Sequence, residues 1–172
     1  MLNDGAHFGM LFDTAEEGPL KLLASARQPL ELFMPETYPL AREEAIWPAQ
    51  IASQRLVLPE ANSRLLEIIH SVFTERGLPL NVVMKSSSLQ LVLESVAQGT
   101  GLSILPQIFG NPSERPCGIV ARPILCDEFS DIHFHFFSRS GRRMNPAALA
   151  LQNAIVREVQ AMHVVDLKRA LA

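Results

Sequence analysis

The chain has 172 residues, enough for one large domain or two small lobes, and 48% of them are hydrophobic. Its formal net charge is −3, whereas a protein that grips DNA by itself needs a basic surface to neutralise phosphates. No apolar run reaches the ~20 residues of a membrane span, no signal peptide is recognisable, and two cysteines are too few for a disulfide framework. The composition predicts a cytoplasmic protein that contacts no membrane and does not bind nucleic acid through these residues.

The first third of the chain is predicted to form short strands separated by turns. AHFGMLF (6–12) and LELFM, the strongest part of an apolar pattern over residues 20–34, have the composition of buried strands. Turn signals follow at Pro35 and Pro39, and IWPAQIASQ is predicted to be a linker or a single helical turn.

Residues 55–106 alternate between strand and helix. The predicted strands are RLVLP (55–59), LNVVMK (80–85) and GLSILP (101–106). The first intervening helix is predicted to be capped by Asn62 or Ser63 and to end at Gly77; the second is predicted to be capped by Ser86, Ser87 or Ser88 and to end at Gly99. Such an alternation with short connections predicts an α/β fold with a parallel sheet, right-handed crossovers and helices on its faces.

The last third begins with a predicted loop over residues 107–118. Two strands, GIVARPI and DIHFHFFS, follow it. A long terminal helix is predicted to begin at Pro146, with Asn145 as its cap.

Two helix starts follow neighbouring strands, and both are rich in polar side chains. They are the segment PEANS at 59–63 and the serines at 86–88. The start of a helix carries unpaired amides and a partial positive charge, so it accepts carboxylate or phosphate oxygens. Plain helix capping explains each hydroxyl taken singly, but three serines where one would cap indicate a ligand cleft.

The order and spacing of several segments resemble the effector-binding domain of LysR-type transcriptional regulators, and within that family the nitrogen-assimilation-control type. The resemblance is carried by GTGLSILP after the second helix, by ELFMPETYPLA upstream, and by FSRSGRRMNPAALAL near the C-terminus. It covers roughly residues 2–162.

This resemblance implies a periplasmic-binding-protein-like fold, in which two Rossmann-like lobes are joined by two crossover strands and hold an effector between them. It assigns residues 1–34 and 139–172 to the first lobe, and residues 35–138, with both crossing strands, to the second. The family's winged helix-turn-helix, its linker helix and the opening strand–helix–strand of its first lobe have no counterpart here. We therefore expect the first lobe to be incomplete.

The resemblance also implies a function. A small anionic effector of the organic-acid class would alter the packing of a homodimer or tetramer, and DNA would be bound by a helix-turn-helix domain absent from this chain. The effector contacts carried over by position are Ser86, Ser87, Ser88, Asn62, Ser63 and Arg122, with Ser87 the strongest candidate.

No catalytic residue, metal or cofactor is predicted. His133 and His135 share one face of a strand, but a tetrahedral metal site needs three or four ligands. The sequence contains no GxSxG nucleophile elbow. The alternative that stays open is a small α/β enzyme that uses the same helix starts for a carboxylated or phosphorylated metabolite.

Overall fold

The computed structural model describes residues 7–13, 20–60, 63–111, 116–139 and 144–170; for Ser63 and residues 163–170 it describes the backbone alone. The strands, in chain order, are β1 (Phe8–Phe12), β2 (Leu20–Arg27), β3 (Leu30–Pro35), β4 (Arg55–Pro59), β5 (Asn81–Ser86), β6 (Ser103–Pro106), β7 (Ile119–Pro123) and β8 (His133–Arg139). The helices are α1 (Pro48–Ile51), α2 (Ser63–Glu75), α3 (Leu89–Ala97), α4 (Asp127–Ser130) and α5 (Pro146–Ala170). Short 3-10 turns occupy Pro39–Arg42 and Gln107–Gly110.

The chain divides into two compact units. The first comprises residues 1–27 and 133–172, and the second is the continuous stretch 28–132. Where the second unit begins and ends, Gln28 N donates a hydrogen bond to Ile132 O at 2.7 Å.

The first unit is built on an antiparallel sheet. Its strand order is β1-β8-β2, and β8 pairs antiparallel with both neighbours. Helix α5 packs on this sheet against β2. The buried cluster of this unit consists of Ala24, Ala26, Phe134, Phe136 and Val159. The even-numbered residues of β8 face this cluster, as the period-two pattern of DIHFHFFS predicts.

The second unit has a mixed sheet with parallel strands on one side. Strands β4 and β5 pair in parallel, and a parallel bridge between Leu56 and Leu102 joins β4 to the start of β6. Strand β3 then lies between β6 and β7 and pairs antiparallel with both. The resulting order is β5-β4-β6-β3-β7. The predicted parallel arrangement over residues 55–106 is confirmed.

The two long helices of the second unit bury the faces that their apolar periodicity predicts. Helix α3 contributes Val92, Leu93 and Val96 to a buried cluster that includes Phe33 and Leu105. Helix α2 buries an apolar stripe of its own and packs against α4; the buried members are Leu65, Ile69, Val72 and Phe73. Both helices end at the predicted glycines, since Gly77 and Gly99 have positive φ angles of 63° and 72°.

Gly101 lies where β4 and the approach to β6 come closest. A Cβ atom at this position would be 2.7 Å from the carbonyl oxygen of Arg55, which accepts a hydrogen bond from Leu102 N. Only a residue without a side chain allows this approach of two backbones. The glycine of the GTGLSILP segment is therefore a requirement of the β4–β6 junction.

The structure divides the chain earlier than the sequence predicts at both crossings. The resemblance implies boundaries after residues 34 and 138, with both crossing strands in the second lobe. Strand β3 does belong to the second unit, because it pairs with β6 and β7. Strand β8 belongs to the first unit, because it pairs with β1 and β2. The divisions fall at Arg27–Gln28 and at Ile132–His133.

Helix α1 lies within IWPAQIASQ, for which a linker or a single helical turn is predicted, whereas two other short helical turns were not predicted. Helix α4 spans only four residues, and Gln107–Gly110 forms a 3-10 turn inside the segment predicted as loop. Elements of one turn lack the repeating apolar spacing that identifies a helix in a sequence. Over the ranges described, no helix is long and apolar enough to cross a membrane.

Candidate functional site

The two polar helix starts lie side by side in the second unit. Because β4 and β5 are parallel, both end at the same edge of the sheet, and Pro59 is paired with Ser86 there. Glu60 N donates a hydrogen bond of 2.8 Å to Ser86 O, so the chain leading to α2 is bonded to the chain leading to α3. The structure thus brings residues 86–88 next to Glu60, as expected from the strand order.

The three consecutive serines have three different roles. The half-buried Ser86 accepts a hydrogen bond at its Oγ from Ser88 N at 3.1 Å. Ser88 is the N-cap of α3, and its Oγ accepts from Leu91 N at 3.3 Å. Ser87 is exposed, and its hydroxyl makes no hydrogen bond to any residue that the structure describes. Capping and turn formation therefore account for Ser86 and Ser88 and leave Ser87 available to a ligand.

The first turn of α3 supplies further donors. The amides of Leu89 and Gln90 have no acceptor within the helix, because the first amides of a helix precede its hydrogen-bonded ladder. The partial positive charge of the helix start favours an anion at this place. With the Ser87 hydroxyl, these amides form a donor group without a charged side chain.

The start of α2 is only partly described. Asn62 lies outside the described residues, and Ser63 is known as the first helical residue without a description of its side chain. Two exposed charges flank this start. Glu60 precedes it and would repel an anion, whereas Arg64, in the first turn, would attract one.

Arg64 was missed in the sequence analysis. Its guanidinium is 3.5 Å from a carboxylate oxygen of Glu67, in a pair whose side chains are 54% and 64% exposed. An ion pair that is this exposed to solvent is weak, so the Arg64 side chain can leave Glu67 and bind a ligand. Its place immediately after the predicted cap was the signal that could have identified it.

Arg122 does not join the helix starts. It lies on β7, four strands away from β5, which corresponds to about 19 Å across the sheet. Its guanidinium donates to the carbonyl oxygens of Ala41, Glu43 and Ala121 at 2.9–3.0 Å. Arg122 therefore holds the 3-10 turn after Pro39 against β7.

The histidine pair lies in the first unit. His133 and His135 stack with ring centroids 6.0 Å apart and planes inclined by 11°. Across the described part of the chain there is no group of three or more His, Cys, Asp or Glu side chains that could hold a metal ion.

Parallel strands that gather two helix starts at one sheet edge, followed by antiparallel crossing strands, define a ligand-binding α/β fold of the periplasmic-binding-protein-like class. The family model described as LysR substrate binding domain matches residues 1–160. The chain belongs to this family, which confirms the resemblance seen in the sequence.

Among curated relatives, the RuBisCO operon transcriptional regulator of Allochromatium vinosum is 28% identical over 136 residues, which are 78% of this chain and 44% of that protein. The chain thus spans less than half the length of this relative. The curated relatives are named as transcriptional regulators, in agreement with the expectation of a regulatory domain. The closer assignment to the nitrogen-assimilation-control type stays a prediction.

Two solved structures that share the fold contain a bound ligand. The regulatory domain of Synechocystis PCC6803 CcmR, in complex with 2-PG, superposes with a TM-score of 0.74 at 16% identity, over 92% of this chain and 76% of that one. The effector-binding domain of QuiR, in complex with shikimate, gives a TM-score of 0.70 at 19% identity, over 90% and 72%. At these identities the likeness shows the fold alone.

Proposed function

We propose that this chain is the ligand-sensing part of a LysR-type transcriptional regulator and that its second unit binds a small organic acid at the paired helix starts. The observation that carries the proposal is the junction of these starts, where Glu60 N is bonded to Ser86 O and the exposed Ser87 hydroxyl lies beside the free amides of α3.

The chemistry of the junction favours a carboxylate. Ser87 Oγ and the amides of Leu89 and Gln90 donate hydrogen bonds, and Arg64 adds a positive charge near the start of α2. Glu60 opposes a multiply charged anion at the same place. The QuiR domain is known in complex with shikimate, a monocarboxylate, and a ligand of that charge suits the balance found here.

The regulatory role follows from differential binding. An effector shifts an equilibrium between two arrangements only if it binds one of them more tightly, typically by about 1–3 kcal/mol. We propose that effector binding biases the packing of a homodimer or tetramer in the cytosol. DNA would be contacted by a helix-turn-helix elsewhere in the regulator, since the net charge of −3 does not favour phosphate binding by this chain.

A test begins with a thermal-shift screen of organic acids, shikimate and benzoate included, followed by calorimetric titration of the acid that stabilises most. Ser87→Ala should weaken binding about 10- to 100-fold, because a hydrogen bond to a charged group contributes about 1.5–3 kcal/mol. The unfolding temperature without ligand should not change, since Ser87 is exposed and its hydroxyl is not bonded to any of the described residues.

Two controls separate binding from folding. Ser71→Ala removes a hydroxyl that is bonded to Glu75 on the surface of α2 and should leave the affinity unchanged. Ser88→Ala removes the cap of α3 and should cost about 1 kcal/mol of stability. Equal affinities of the wild type and Ser87→Ala would exclude Ser87 from the site, and a screen in which no acid stabilises the chain would contradict the proposed ligand class.

A further inference from the structure

The second unit carries an open groove far from the helix starts. Its volume is about 620 Å³, and its lining includes Trp47, Leu125, Arg76, Cys126, Asp127 and Ser130. Arg76 follows the C-terminal end of α2. A helix of 13 residues is about 20 Å long, so the groove lies about that far from the junction at Glu60. It is therefore a separate feature from the proposed effector site.

The apolar part of the groove is held in a fixed geometry although it is exposed. Trp47 is 59% exposed and Leu125 is 42% exposed. The residues before them, Ile46 and Ile124, form a parallel bridge, in which Ile46 N donates to Pro123 O at 2.9 Å and Leu125 N donates to Ile46 O at 2.8 Å. Main-chain hydrogen bonds thus hold Trp47 and Leu125 next to each other on two paired segments of the backbone.

The backbone of Trp47 is fixed a second time. Trp47 N donates to Gln50 Oε1 at 2.7 Å, and Gln50 N donates to Trp47 O at 2.9 Å, at the start of α1. Large exposed aromatic residues on a fixed backbone lose little conformational freedom on binding, and tryptophan is enriched among the residues that dominate protein interfaces.

The polar part of the groove has one negative charge in excess. Arg76 donates to both carboxylate oxygens of Glu128, at 2.9 and 3.0 Å, and the Cys126 thiol donates to the same carboxylate at 3.0 Å. These two donors hold the pKa of Glu128 at about 2, whereas burial, together with the bond to Glu128, raises the pKa of the Cys126 thiol. Arg76 is therefore neutralised by Glu128.

Asp127 carries the charge that remains. Among the lining residues that the structure describes, its carboxylate is the charged group outside an ion pair. The bonds of Arg76 and Cys126 to Glu128 hold α4, and with it the neighbouring Asp127, against the end of α2. The groove therefore combines an exposed indole, an exposed leucine and a positioned carboxylate.

We propose that this groove docks a segment of a partner protein that presents an arginine side chain beside an aliphatic one. A guanidinium can stack on the face of Trp47 and pair with the carboxylate of Asp127, and an aliphatic neighbour would cover Leu125. Charge complementarity selects this occupant over an acidic segment, which Asp127 would repel. The site requires no effector and does not depend on the proposed function of the helix starts.

The full chain offers a direct readout, because Trp47 is its single tryptophan. The probe is N-acetyl-leucyl-argininamide, titrated while the indole fluorescence is recorded. We expect a saturable change with the arginine peptide. The matched peptide with citrulline, which has the same shape without the charge, should bind at least fivefold more weakly, and a peptide with glutamate should give no change.

Two variants test which residues of the groove bind the peptide. Asp127→Asn should weaken binding of the arginine peptide about fivefold and leave the citrulline peptide unchanged. Trp47→Phe should weaken the binding of both peptides, which calorimetry measures. Thermal unfolding of each variant shows whether it is folded, and Trp47→Phe keeps an aromatic ring in case a smaller residue destabilises α1.

Several outcomes would overturn the proposal. These are an arginine response that does not saturate, equal affinities for the arginine and citrulline peptides, and an unchanged affinity in Asp127→Asn. Displacement of the peptide by a simple organic acid would show that the groove is a second acid site. Sedimentation at rising protein concentration tests whether a second copy of the chain fills the groove, and self-association that is lost in Trp47→Phe and unaffected by the peptide would establish that occupant instead.

Discussion

The two units of this chain differ in strand direction, and the paired helix starts proposed as the ligand site lie in the second unit. In the first unit β8 runs antiparallel to both neighbours, so strands that are adjacent in the sheet end at opposite edges. In the second unit β4 and β5 are parallel, so the helices that follow them begin at one edge. Helix starts meet at one edge of a sheet where adjacent parallel strands are each followed by a helix. Strand direction therefore decides which unit carries the candidate site.

The largest expected effects come from replacing one buried phenylalanine in the core of each unit. Phe33 in the second unit and Phe136 in the first are both fully buried, and each belongs to the cluster of its own unit. Replacing either by alanine should cost about 3–5 kcal/mol. Hydrogen exchange should then accelerate mainly at β4 and β6 in Phe33→Ala and mainly at β2 and β8 in Phe136→Ala. Equal acceleration in both units by both variants would show that the two cores do not behave separately.

A smaller effect is expected from adding a methyl group at the β4–β6 junction. Gly101→Ala places Cβ 2.7 Å from Arg55 O, a backbone atom that cannot yield easily, and should cost about 1–3 kcal/mol in urea unfolding. Gly9→Ala in the first unit is the matched control, because no atom lies within 4 Å of its added Cβ. If both variants unfold at the same urea concentration, the close approach at Gly101 is not a constraint on the sheet.

The smallest effect is expected at acid pH and concerns the second unit, which contains the Arg76–Glu128 and Arg64–Glu67 ion pairs. The pKa of Glu128 is about 2 in the folded chain, below its ordinary value of 4.5. A lowered pKa stabilises the fold above pH 4.5, and this contribution is lost as the pH falls from 4.5 towards 2. The wild type should therefore be more stable than Glu128→Gln at neutral pH and lose that advantage in acid.

Urea unfolding of both proteins at neutral pH and at pH values below 4.5 measures this difference. Glu67→Gln is the control, since it removes the carboxylate of the more open pair with Arg64. A difference between wild type and Glu128→Gln that stays constant as the pH is lowered would mean that Arg76 and Cys126 do not stabilise the charged form of this carboxylate.

The helices of the second unit were predictable from sequence because their signals are local. The apolar spacing of α3, its serine cap and its terminal glycine all lie within a few residues of one another. The same locality explains the choice among the serines: sequence showed three candidate caps, and only the backbone geometry assigns the cap to Ser88 and frees Ser87.

The parts that could not be predicted depend on contacts between distant residues. The assignment of β8 to the first unit follows from its pairing with β1 and β2, far away in the chain. Arg122 was proposed as an effector contact from its position on a strand, but its partners Ala41 and Glu43 come from a turn that sequence does not place beside it. The groove at Trp47 is formed in the same way, since it unites three separate stretches of chain.

The second unit is an insertion within the first, and the hydrogen bond from Gln28 N to Ile132 O joins its two ends. A segment whose two ends touch can be removed, transplanted or circularised without pulling its ends apart. Residues 28–132 could therefore be produced as a separate protein with joined termini, and such a ring would isolate the serine junction and the tryptophan groove from the rest of the chain.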